Sequence, residues 1–170
     1  TWVYATATGT ATTTPQLYLY LSGPGECYLD DMKLVAGSNA EAGPNLLQNG
    51  GFESALTPPW NKTANFVNST ISSTVARSGN GSLHLVATAA GAGSSNSVYQ
   101  VFPSSVLVSG QTYTISYWSS LPNRALTVRL SGSLLTSTPD LDVGGLYRRL
   151  ETFDQNGIGD YRAWFSLHAV

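Results

Sequence analysis

The chain has 170 residues, enough for one domain, and 42% of them are hydrophobic, so a packed core can form. Only 11% are charged and the net charge is −2, with Lys33 and Lys62 the only lysines. That footprint argues against nucleic acid, whose binding needs several cations to displace phosphate counterions. The absence of any apolar run of about 18 residues argues against a membrane span.

Helical periodicity is missing throughout, whereas alternation with period two recurs, as in half-buried strands. The opening Thr1-Trp2-Val3-Tyr4 already reads as a strand, with no signal peptide before it, so the chain looks like a mature or excised piece of something longer. Leu17, Leu19 and Leu21 then alternate with Tyr18 and Tyr20, and Gly23-Pro24-Gly25 marks a turn. Cys27 opens the next apolar run and is expected to be a small buried hydrophobe; as the single cysteine it cannot form an internal bridge, and an intermolecular one is the alternative.

Residues 37–44 are small, polar and bounded by Gly and Pro, as in a linker. Further on, Leu83 and Leu85 alternate with His84, Tyr113, Ile115 and Tyr117 with Thr114, Ser116 and Trp118, and Leu126, Val128 and Leu130 with Thr127 and Arg129. Turn signals at 78–81, 109–110 and 121–123 separate these runs. Many short strands so punctuated predict an all-β, antiparallel β-sandwich. Residues 140–160 read as a loop plus one strand, and 161–167 as an apolar strand.

Four stretches carry a resemblance. Asn45-Leu46-Leu47-Gln48-Asn49-Gly50-Gly51-Phe52-Glu53, followed by Trp60, looks like the first strand of the carbohydrate-binding modules of families 4, 9 and 22. Cys27-Tyr28-Leu29-Asp30-Asp31-Met32-Lys33-Leu34-Val35 looks like their last strand. Ser78-Gly79-Asn80-Gly81-Ser82-Leu83 and Gly110-Gln111-Thr112-Tyr113-Thr114-Ile115-Ser116 are similar to two internal segments. The resemblance implies a jelly-roll sandwich of galactose-binding-like type, secreted and extracellular, that binds polysaccharide or another glycan without catalysis as part of a larger protein.

The order departs from that family, because the last-strand motif precedes the first-strand motif. Either residues 1–36 are the tail of an upstream module and 45–170 begin the next, or 1–170 form one sandwich with permuted strand order. The second arrangement is favoured: 1–36 as closing strands, 37–44 as linker and 45–170 as the main body, since a lone strand pair cannot bury its apolar faces. Strand exchange or head-to-tail self-association through open edges is the remaining option.

Catalysis finds little support. Asp30 and Asp31 are the only adjacent acids, and neighbours on a regular strand point to opposite faces. The resemblance implies a structural Ca2+ held by Glu53, by Asp30 or Asp31, and by carbonyls near Gly51 and Asn80, a donor set calcium accepts.

Sugar recognition needs exposed aromatic rings beside polar groups on one sheet face or loop rim. Strand parity nominates Trp118, Arg129, His84, Tyr18 and Tyr20; Gln100 is common at its place in the family, and Trp60 is a loop candidate. A structural or adhesive spacer that lacks the sugar site is the competing reading.

Overall fold

Residues 1–11, 16–120 and 126–130, and the backbone of 136–137, are described in the computed structural model. The expected turn at 121–123 and the expected strands after 140 lie outside these residues. Among the described residues ten strands form: β1 Val3–Thr10, β2 Gln16–Leu21, β3 Gly25–Ala36, β4 Asn61–Lys62, β5 Thr70–Ser72, β6 Ser82–Ala87, β7 Val98–Val101, β8 Thr112–Ser120, β9 Leu126–Leu130 and β10 Thr136–Ser137. One short 3-10 turn spans Ala64–Phe66. All of these elements belong to one unit, Thr1–Pro139.

The strands make two antiparallel five-stranded sheets, a β-sandwich. Sheet I has the order β1-β8-β3-β6-β5 and sheet II the order β10-β9-β2-β7-β4. Period-two patterning explains which side chains meet between them. Leu17, Leu19 and Leu21 of β2, with Val128 of β9 and Val98 of β7, form the inner layer of sheet II. Cys27 and Leu29 of β3, Leu83 and Leu85 of β6, and Ile115 and Tyr117 of β8 form that of sheet I; all are buried.

Residues 1–36 supply inner strands of both sheets. β3 lies between β8 and β6, and β2 lies between β9 and β7. Residues 45–50 run back alongside β3, with Leu46 N donating to Leu34 O at 2.8 Å and Met32 N donating to Gly50 O at 2.9 Å. The last-strand and first-strand motifs are therefore neighbours, and 37–44 is the short connection that joins them.

Two expectations change here. Trp60 is no loop platform: it is fully buried, 5.7 Å from the Phe52 ring centroid, and its indole N–H donates to Asn49 O at 3.3 Å. A ring with one polar atom can be buried at little cost when that atom finds an acceptor. Gln100 also faces inward. Its amide oxygen accepts from Gln48 N and its amide nitrogen donates to Gln48 O, both at 2.9 Å, so it pins 45–50 to sheet II, and its burial keeps it from a ligand on the outer face.

Trp60→Ala is expected to lower the unfolding free energy by about 3–5 kcal/mol in urea titrations, the usual cost of emptying an aromatic core site. Cys27 is a free, buried thiol, and burial pushes its pKa up. It is expected to resist a thiol-specific reagent in the native protein and to react once the chain is unfolded. Native-state labelling would show that the core opens at β3.

Candidate functional site

The site begins with one irregularity in β3. Asp30 pairs with Trp118 and Lys33 with Ser116, so β3 holds one more residue than β8 between these pairs. Asp31 takes a positive φ of 50° at this bulge. The expectation that Asp30 and Asp31 point to opposite faces is corrected, because both carboxylates reach the same loop. Asp30 accepts from Arg77 N at 2.8 Å and Ser78 N at 3.2 Å. Asp31 accepts from the Arg77 guanidinium and the Ser78 hydroxyl, both at 2.7 Å. Burial raises the pKa of Asp30, against the lowering effect of the three backbone N–H groups that bond its carboxylate.

The bulge also sends Lys33 to the outer face of sheet I, where a cleft of about 750 Å³ opens. Trp118 and Tyr4, paired across β8 and β1, form its aromatic part with ring centroids 5.2 Å apart. The Arg77 guanidinium lies 4.1 Å from the centre of the Trp118 ring, a cation–π contact. Asp31, Lys33, Glu41 and Ser116 are among its other lining residues. Tyr4 Oη donates to Glu41 Oε1, and Lys33 Nζ donates to the Glu41 carbonyl, both at 3.3 Å. The connection 37–44 therefore forms one wall.

Aromatic rings continue diagonally across the same face. Tyr28 on β3 stacks on His84 of β6 at 4.6 Å with 10° between planes, and His84 Nε2 lies 2.8 Å from Glu26 Oε2. Tyr4, Trp118, Tyr28 and His84 thus occupy four adjacent strands.

The other nominated residues lie on sheet II. Arg129 is exposed and pairs with Tyr18; Tyr18 is buried, bonded to Gln16 Oε1 and edge-on to Tyr99 at 6.4 Å. Tyr20 is half-buried against the core. Trp118 and Arg129 both face outward as parity requires, but from different sheets, so they cannot share one ligand. Tyr4, Lys33, Glu41 and Arg77 are among the cleft residues that sequence reasoning did not nominate. Tyr4 carried a usable signal in its alternation with Val3 and Ala5. Arg77 carried none, because only the β3 bulge brings its turn over Trp118.

The nominated calcium ligands have other duties in this geometry. Glu53 accepts from Asn80 N at 2.9 and 3.1 Å and from Gly81 N at 3.3 Å, while Asp30 and Asp31 hold 77–78. Asp30 and Glu53 clasp successive backbone N–H groups of one turn, and Asp31 takes the Arg77 guanidinium and Ser78 hydroxyl of the same turn. Among the described residues, no three His, Cys, Asp or Glu side chains converge as metal ligands. The oxygen donors suit calcium chemically, and in this geometry the three carboxylates are bonded to the 77–81 turn.

A family model described as "Carbohydrate binding domain", of the 4/9 type, matches residues 44–138, more than half of the chain. The chain belongs to that family. No curated protein and no solved structure matches it. The match spans the first-strand motif and both internal segments, whereas the last-strand motif in β3 precedes it.

The clasp makes two predictions. Gly79 has φ +59°, and a Cβ there would fall 2.1 Å from Glu53 Oε1. Gly79→Ala is therefore expected to cost about 1–3 kcal/mol in urea unfolding, from backbone strain and a displaced carboxylate. EDTA is expected to leave the melting temperature unchanged. A fall that Ca2+ reverses would show that these oxygens bind the metal after all.

Proposed function

We propose that the chain is a non-catalytic carbohydrate-binding module of a larger extracellular protein, closed by residues 1–36, and that it holds polysaccharide in the sheet I cleft. The observation that carries this reading is the Trp118–Tyr4 pair beside the polar groups of Lys33, Asp31, Arg77 and Glu41. A pyranose ring presents C–H patches that stack on aromatic faces and hydroxyls that need fixed donors and acceptors. The cleft offers both within reach of one sugar unit. Family membership supports the ligand class. An open cleft buries little of a polymer, so affinity is modest and carried by stacking and hydrogen bonds.

One observation favours the spacer reading: Arg77 already covers part of the Trp118 ring. A sugar must share that ring with the guanidinium or displace it, whereas a structural repeat would keep the contact as packing.

Affinity electrophoresis against soluble polysaccharides separates the two. The carbohydrate reading expects retardation by at least one polymer, lost in Trp118→Ala while the melting temperature stays within a few degrees. Unretarded migration on every polymer, neutral and acidic, supports the spacer.

A further inference from the structure

We infer that the sheet I cleft selects an acidic sugar, a hexuronate unit whose carboxylate is held by Lys33 and Arg77. The inference rests on the sugar-binding reading of this cleft and concerns which sugar it takes.

The acids are largely engaged. One oxygen of Asp31 accepts from Arg77 Nη1 and the other from Ser78 Oγ, both at 2.7 Å. Asp30 is buried and bonded by backbone N–H groups on both oxygens. Oε1 of Glu41 accepts from the Tyr4 hydroxyl, which leaves Oε2 of this exposed side chain as the one carboxylate oxygen of the cleft that bonds no described residue. Both functional groups of the Asn45 amide are bonded to the backbone, the oxygen from Leu34 N and Leu47 N and the nitrogen to Met32 O.

The cations keep spare capacity. Lys33 is half-buried and makes no ion pair among the described residues; its ammonium meets only the Glu41 carbonyl, at 3.3 Å. An ammonium has three donors, so two remain. Arg77 uses one terminal nitrogen on Asp31, and its Nε and Nη2 bond no described residue. Spare capacity in the cleft is thus mostly donor capacity on two positive groups, next to an aromatic face. A pyranose that carries a carboxylate supplies the complement: C–H groups for Trp118 and an anionic acceptor for the two cations. A neutral hexose would offer these donors only hydroxyls, without the charge-assisted bond that a carboxylate accepts.

The test is affinity electrophoresis and calorimetry of the full chain with polygalacturonate and alginate, beside neutral xylan, glucan and mannan, with dextran sulfate as a charge control. The expected result is binding of a polyuronate at least tenfold tighter than any neutral polymer. Lys33→Met should weaken it at least tenfold, and Lys33→Arg should retain most of it. Thermal melts of both variants show whether the fold is kept. Preference for a neutral polymer, or undiminished polyuronate binding by a folded Lys33→Met, overturns the inference and leaves the sugar-binding reading standing. Retention by dextran sulfate as strong as by polyuronates, with both abolished by moderate salt, also overturns it, because the cleft would then act as an ion exchanger. Failure of every polymer, acidic or neutral, overturns the sugar-binding reading itself.

Discussion

One extra residue in β3 organises the molecule. Before the bulge, Cys27 and Leu29 face the interior; beyond it, Met32 and Leu34 do. Strict alternation from Leu29 would have driven Asp31 and Lys33 into the core and Met32 and Leu34 out. The bulge at Asp30–Asp31 resolves that conflict, because an inserted residue inverts the parity of everything after it. Burying a lysine and an aspartate without partners would cost several kcal/mol, far more than one irregular pair in a ladder.

The same bulge connects fold to site. It aims two adjacent carboxylates at 77–78, and that turn carries the Arg77 guanidinium over Trp118. It leaves Lys33 on the outer face two pairings from Tyr4. Glu53 holds the next residues of the turn from the other side, through Asn80 and Gly81. The cleft is therefore built from segments far apart in sequence: β1, the β3 bulge, the 37–44 connection, the 77–81 turn and β8. Its shape depends on residues 1–36 pairing inside sheet I, since Tyr4, Asp31 and Lys33 all come from them.

Much of the sandwich was legible as period two. The inward set of β8, Tyr113, Ile115 and Tyr117, follows from alternation, and so does the outward direction of Trp118 and Arg129. Parity cannot say which sheet a strand joins, and that is why those two residues looked like partners and are not. Trp60 and Gln100 failed for a related reason: their fates are decided by distant acceptors and donors, Asn49 O and the Gln48 backbone, which no local pattern reveals. The bulge was visible in retrospect, since the apolar positions of 27–35 switch from odd to even across Asp30-Asp31.

The central claim is that the outer face of sheet I, and not that of sheet II, meets carbohydrate. The most direct measurement is a 1H–15N NMR titration with an oligosaccharide from whichever polymer retards the protein, following the indole N–H of Trp118, the Tyr4, Lys33 and Arg77 amides, and the amides of Tyr20, Tyr99 and Arg129. Saturable shifts are expected to cluster at Trp118, Lys33, Arg77 and Tyr4. Shifts confined to Tyr20, Tyr99 and Arg129 would contradict it and move the site to the opposite face.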